Sequence, residues 1–159
     1  ATRSTTTVTT RVNTGGLVRN PRGIVAVGSY LYVTNMDTHT IIKIDKSSGA
    51  TSVFAGATGS SGSTNAALGT DARFTTPGFM TTDGNNLYVI DTGTYKIRKI
   101  NIATTEVTTL AGSGDRMDSV GSTSAAGFYF SNSSIGSGIV YVPTYGLFMG
   151  STFGVKKID

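Results

Sequence analysis

Leu31-Tyr32-Val33 decides the fold, because the same three residues recur as Leu87-Tyr88-Val89, 56 residues further along the chain. A looser third copy lies at Leu147-Phe148-Met149. Each copy is followed by a second motif in which isoleucine neighbours basic residues: Ile42-Lys43-Ile44-Asp45, Arg98-Lys99-Ile100-Asn101 and Lys156-Lys157-Ile158-Asp159. The chain therefore contains internal repeats, and each repeat is expected to fold into the same structural unit.

Two further runs of β-forming residues complete the repeat. One precedes the first motif, as Gly23–Val27, Phe79–Thr82 and Gly138–Val142. The other follows the second motif, as Ser52–Gly56 and Thr108–Gly112. Turn residues separate the runs, as in Asp83-Gly84-Asn85-Asn86 and Lys46-Ser47-Ser48-Gly49. Four short strands per repeat predict an all-β fold of β-propeller blades, each with four antiparallel strands and three to the chain.

The pattern within each run predicts its place in the blade. The first run is largely apolar, which is typical of an innermost strand packed on both faces. In the third run polar residues alternate with Ile42, Ile44, Ile97, Ile100, Val155 and Ile158. We therefore expect the third strand to have one buried face and one face in water.

The sequence resembles the NHL repeat, in the long form common in secreted bacterial proteins. The resemblance is carried by Pro21-Arg22-Gly23-Ile24 before the first motif, by Asp91-Thr92-Gly93 before Lys96–Ile100, and by Leu110–Gly114 leading to Ala125-Ala126-Gly127-Phe128. It covers nearly the whole chain after about residue 8 and is weakest in the third unit, which lacks the Pro-x-Gly-Ile start. The resemblance implies one propeller domain over residues 1–159. Its expected parts are an outer strand over 1–16, blade 1 over 17–72, blade 2 over 73–128 and an incomplete blade 3 over 129–159.

The two ends of the chain predict one blade split between the termini. The segment Val8–Gly16 looks like a fourth strand with none before it, and Lys156–Asp159 is a third strand with none after it. Three arrangements follow: two chains closing a six-bladed ring by exchanging the first strand, strand-linked chains forming a filament, or a piece of a longer propeller. The residues expected to carry assembly are Val8, Thr10, Val12, Val155, Lys157 and Ile158.

No group of residues points to catalysis, to a cofactor or to a metal. His39 is the only histidine and sits in a turn, whereas propeller lyases of similar fold hold a metal with several histidines. Asp91 is expected to cap its turn by accepting backbone N–H groups, and its counterparts Asn35 and Gly150 are not acids. The remaining loop acids lack the spacing of a calcium loop and are expected in solvated turns: Asp71, Asp115 and Asp118.

The charged residues favour a mildly cationic surface over a nucleic-acid site. The 13 basic and 9 acidic residues give a net charge of +4, and the basic ones are scattered. Those on the third strands are expected on a solvated strand face: Lys43, Lys46, Arg98, Lys99, Lys156 and Lys157. There is no cysteine and no apolar stretch long enough to span a membrane.

We therefore predict a non-catalytic propeller, extracellular or at the cell surface, that acts in self-assembly or as an interaction module. The first residue, Ala1, is not methionine, as expected either of a processed secreted protein or of a trimmed chain. The low content of Lys and Glu favours the secreted location. The partner expected first is the chain itself. The alternative is a module that binds a carbohydrate, peptide or protein ligand on loops of the top face or in the central channel, and an enzyme is the third class considered.

Overall fold

The structure is a computed structural model that describes residues 16–130, 138–151 and 153–159. Within these residues it has eleven β-strands, all in antiparallel pairings, and three short 3-10 turns. The strands form two sheets of four and one of three, so the predicted all-β fold of propeller blades is confirmed. No helix among the described residues is long and apolar enough to cross a membrane.

Each sheet is a meander in which consecutive strands are neighbours. Blade 1 consists of β1 (Pro21–Val27), β2 (Tyr30–Asn35), β3 (Thr40–Asp45) and β4 (Thr51–Ala55). Blade 2 consists of β5 (Pro77–Thr82), β6 (Asn86–Asp91), β7 (Lys96–Asn101) and β8 (Val107–Ala111). Blade 3 consists of β9 (Ile139–Val142), β10 (Gly146–Ser151) and β11 (Gly154–Ile158). The 3-10 turns are Met36–Thr38, Gly69–Asp71 and Thr92–Thr94.

The strand registers show which residues are equivalent between blades. Ile24 pairs with Val33 in blade 1, Met80 pairs with Val89 in blade 2, and Ile139 pairs with Met149 in blade 3. Both four-stranded blades also shift register at the same place in β1 and β5. A contact in one blade can therefore be compared residue by residue with the same place in the others.

The predicted turns form around aspartate side chains. Asp83 Oδ1 accepts the backbone N–H groups of Asn85 at 2.8 Å and Asn86 at 2.6 Å. Asp45 Oδ1 likewise accepts the N–H groups and hydroxyls of Ser47 and Ser48, and these hydrogen bonds hold the pKa of Asp45 well below its usual range. Such side-chain bonds fix a tight reversal, so each hairpin joins at the place that the sequence indicated.

The core lies between blades rather than inside any one sheet. Between blades 1 and 2, one cluster joins Tyr32, Ile41 and Phe54 to residues of blade 2 that include Met80 and Ile100. The innermost strands approach closely at Gly23, where an added Cβ would lie 2.8 Å from the N of Met80. A second cluster joins the following side chains of blades 2 and 3: Tyr88, Ile90, Ile97, Leu147, Met149 and Ile158.

Two expectations about burial are wrong. The innermost strand is not packed on both faces in blade 1, because Ile24 is 61% exposed while its equivalent Met80 is 7% exposed. The third strand of blade 2 does not keep one face in water, because Ile97 and Arg98, adjacent on β7, are both fully buried. In a stack of blades both faces of a middle sheet are covered, whereas an end sheet has one face uncovered.

Candidate functional site

Among the described residues, no neighbouring blade covers one face of blade 1. Val33, Ile42 and Ile44 of this face form a small buried cluster that Val18 covers from the loop before β1. Beside it runs an open groove of about 700 Å³, whose apolar lining includes Ile24. The equivalent face of blade 2 is covered by blade 1. We call this surface the open face of blade 1.

At the opposite end of the stack, one face of blade 3 is likewise uncovered in the part of the chain that the structure describes. Val155 is 78% exposed, whereas its equivalents Ile41 and Ile97 in blades 1 and 2 are fully buried. Val140 is 51% exposed on the innermost strand of the same sheet, and Phe148 is half-buried beside it. We call this surface the open face of blade 3.

Blade 3 also has an unpaired strand edge within the described residues. β11 pairs with β10 on one side, whereas β3 and β7, its equivalents, each pair with a fourth strand on the other side. Of the residues predicted to carry assembly, Val155 and Lys157 are exposed on β11, but Ile158 is buried between blades 2 and 3. The other three, Val8, Thr10 and Val12, lie outside the described residues.

A buried ion pair occupies the centre of blade 2. Arg98 and Asp91 are fully buried, and Nη1 of the arginine lies 3.4 Å from Oδ2 of the aspartate. Arg98 also donates to three groups of the loop between blades 1 and 2, the carbonyls of Arg73 and Thr64 and the side-chain oxygen of Asn65. The solvated position expected for Arg98 is therefore wrong, since this side chain holds a loop against the sheet.

Asp91 is a loop anchor as well. Oδ1 accepts the backbone N–H of Thr75 at 2.7 Å, and Oδ2 accepts the hydroxyl of Thr94 at 2.7 Å. Burial raises the pKa of Asp91 to about 6, although these hydrogen bonds and the Arg98 charge lower it. The predicted backbone N–H bond exists, but its donor comes from the loop before the blade and not from the turn that follows Asp91.

Blades 1 and 3 vary the same arrangement. In blade 1, Asn35 replaces Asp91 and Oδ1 accepts the N–H of Arg19, while Ile42 replaces Arg98. In blade 3, Lys156 replaces Arg98, donates to the carbonyl of Ser119 and pairs with Asp118 of the preceding loop. The basic residues at this position therefore fasten loops to blades. The ion pair between Asp91 and Arg98 was not predicted from the sequence. The signal for it is that blade 2 has both charges, whereas blade 1 has Asn and Ile at the two equivalent positions.

The remaining candidates for chemistry stay apart. His39 ends the Met36–Thr38 turn with φ 60°, and Nδ1 accepts the N–H of Thr76 at 3.1 Å from the loop that leads into blade 2. In the part of the chain that the structure describes, no three His, Cys, Asp or Glu side chains are grouped as they would need to be to hold a metal ion. What the geometry offers is apolar faces and a strand edge, which are means of binding another polypeptide.

Solved structures share this fold at low sequence identity. A structural genomics protein of unknown function from Bacteroides thetaiotaomicron has a TM-score of 0.62 and 23% identity over 79% of this chain and 30% of its own. An auxiliary nutrient binding protein from the same species has a TM-score of 0.62 and 20% identity over 82% and 35%. An auxiliary nutrient binding protein from Bacteroides ovatus has a TM-score of 0.64 and 19% identity over 86% and 36%.

These likenesses show the fold and nothing finer, because unrelated functions share one architecture. No family model matches the sequence, and no curated protein matches it. The chain spans about a third of the length of the solved structures just named.

Proposed function

We propose that the chain is a non-catalytic, extracellular propeller module that acts through its surfaces and associates by strand exchange. The observation that carries the proposal is the outer edge of β11, which has no partner strand among the described residues, whereas its equivalents in both other blades are paired. An uncovered strand edge presents a row of free backbone N–H and C=O groups, and adding a strand there satisfies them.

The amino-terminal sequence contains a segment that matches a fourth strand in sequence. Val8-Thr9-Thr10 repeats Val107-Thr108-Thr109, which begins β8, the fourth strand of blade 2. β8 pairs with β7, and β11 is the strand of blade 3 that is equivalent to β7. A segment with the sequence that begins β8 is therefore suited to pair with β11. In this proposal Val8, Thr10 and Val12 of one chain pair along Val155 and Lys157 of another.

Proline tests the exchanged strand, because it removes a backbone N–H and is poorly tolerated inside a paired strand. Thr10→Pro should raise the protein concentration at which two copies of the chain associate, measured by light scattering after size-exclusion chromatography. Thr5→Pro is the matched control, since it makes the same change outside Val8–Val12. The same dependence of mass on protein concentration for both variants and the wild type would contradict strand exchange.

The second candidate is a module that binds a carbohydrate, peptide or other small ligand. Two of the solved structures with this fold are auxiliary nutrient binding proteins, and this likeness favours the second candidate. Binding by the wild-type chain to a glycan array and to a peptide library would support it. An absence of saturable binding on both, from a chain whose unfolding is cooperative, would leave self-association as the better function.

A further inference from the structure

We propose that the open face of blade 1 binds the open face of blade 3 of a second copy of this chain, with the geometry by which its own blades pack. The inference rests on the proposed role as a surface-acting module and names the partner. It concerns the sheet faces, whereas strand exchange concerns the β11 edge. Either contact can therefore fail without the other.

The open face of blade 1 carries one half of an interface that the chain already contains. Its residues Ile24, Leu31, Val33 and Ile44 are equivalent to Met80, Leu87, Val89 and Ile100. All four of those blade 2 residues are buried in the cluster shared with blade 1. The open face therefore keeps apolar side chains at the places where blade 2 meets a neighbouring blade.

The open face of blade 3 carries the other half. Phe148 is equivalent to Tyr32 and Tyr88, which are buried in the clusters on either side of blade 2. Val155 is equivalent to Ile41 and Ile97, which are buried in the same two clusters. On blade 3, Phe148 and Val155 thus occupy the positions at which an aromatic and a branched aliphatic residue of blades 1 and 2 contact the next blade.

The occupant is a sheet face and not a small molecule, because the groove is one side of an extended four-stranded surface. Within the chain, the same surface of blade 2 is covered by a whole blade. The two open faces lie at opposite ends of one stack, so each copy offers one half of the contact and receives the other. Such a head-to-tail interface closes if the rotation completes a circle. Two copies of three blades make six, which lies inside the usual range of roughly four to eight blades, and we infer a closed pair.

The internal contact between blades 2 and 3 gives the positions for a cross-link. Thr81 Oγ1 and the N of Tyr141 are 3.2 Å apart across that contact. By the strand registers, Val140 is equivalent to Thr81, and Ala26 is equivalent to Tyr141. Val140 of one copy should therefore lie against Ala26 of the other, and both residues are exposed in the single chain.

The chain has no cysteine of its own, so introduced cysteines report only on this contact. A mixture of Ala26→Cys and Val140→Cys chains, oxidised mildly, should give a covalent pair on a non-reducing gel. Ala103→Cys mixed with Val140→Cys is the matched control, because Ala103 is an exposed alanine in the β7–β8 turn of the middle blade. The yield of covalent pair should be at least about tenfold higher in the first mixture, as expected when docking holds the two thiols at disulfide distance.

The chain carrying both Ala26→Cys and Val140→Cys then tests closure. A closed pair should migrate as two chains only, whereas a ladder of higher multiples would overturn the closed pair. If light scattering finds two copies but the mixture of Ala26→Cys and Val140→Cys chains links no better than the control, face docking is overturned and strand exchange stands. Single copies at all concentrations, with no specific cross-link, would overturn both proposals.

Discussion

At the scale of the residue, the most consequential feature is a charge that the sequence does not show to be buried. Arg98 lies on a strand where lysine and arginine alternate with isoleucine, yet it is fully buried against Asp91 and the loop at Thr64 and Arg73. Losing one member of a buried pair leaves the other charge without compensation, which costs more than the pair contributes. The pair should therefore behave as one unit.

Arg98→Ile should lower the free energy of unfolding by about 3 kcal/mol at pH 7, because Asp91 then loses its buried counter-charge. Asp91→Asn/Arg98→Ile recreates the Asn35 and Ile42 of blade 1 and should cost at least about 1 kcal/mol less than Arg98→Ile alone. Urea denaturation measures both, with Lys99→Ile on the same strand as the control for a lost charge. Additive costs of the two single substitutions would contradict the coupling.

Asp91 should also give the stability a dependence on pH. Burial raises its pKa to about 6 in the folded chain, above the value of roughly 3.9 in an unfolded chain. The folded state therefore binds more proton than the unfolded state between about pH 4 and 6, and the stability from Asp91 falls as pH rises through that window. Relative to Asp91→Asn, the wild type should lose roughly 2 kcal/mol between pH 4 and 7, measured by urea denaturation at each pH. Parallel curves for the two proteins would show that the carboxyl does not titrate there.

At the scale of the element, the hairpins could be predicted from the sequence and the burial of their faces could not. The turns at Asp83 and Asp45 are local, because each aspartate binds backbone groups within three residues of itself. The exposure of Ile24 and the burial of Arg98 are not local, since they depend on a neighbouring blade and on a loop more than 20 residues away. The alternation of polar and apolar residues along one strand carries no information about the neighbouring blade or about the loop.

Contact between innermost strands gives a prediction at the same scale. A Cβ at Gly23 would lie 2.8 Å from the N of Met80 and 2.9 Å from the O of Gly78, and these backbone atoms of β5 leave little room to adjust. Gly23→Ala should therefore lower the free energy of unfolding by about 1–3 kcal/mol. Gly138, the equivalent glycine of blade 3, has no atom within 4 Å of the added Cβ, and Gly138→Ala at low protein concentration should change stability by less than about 0.5 kcal/mol. Equal losses from the two substitutions would mean that the close approach of blades 1 and 2 does not limit packing.

At the scale of the whole molecule, the described residues form a stack with two different open faces at its ends. The third sheet has three strands in the described residues, and the blade divided between the termini stays a prediction because Val8–Val12 lies outside them. The resemblance to NHL repeats indicated the blades, and the strand registers then show which open surfaces are equivalent to covered ones. Because the two ends are complementary and not identical, the direction in which chains associate can be tested.

A mixture of two defective chains distinguishes head-to-tail from head-to-head association. Ile24→Lys places a charge on the open face of blade 1, and Val155→Lys places one on the open face of blade 3. Both variants also carry Thr10→Pro, so that strand exchange cannot pair them. Each variant alone should remain single by native mass spectrometry, because every head-to-tail contact would contain a lysine on one side. Mixed together, the intact blade 3 face of the first variant meets the intact blade 1 face of the second, which should restore a pair of unlike chains. That pair has no further intact contact, so it cannot grow.

Head-to-head association through blade 1 would give a different result from the same proteins. The Val155→Lys chain would then pair with itself, since its blade 1 face is unchanged, and the Ile24→Lys chain would be excluded from every pair. Strand exchange without face docking would leave both variants single before and after mixing, because each carries Thr10→Pro. Unlike pairs that appear only on mixing are therefore the outcome that requires the two open faces to meet in the order in which the chain's own blades are stacked.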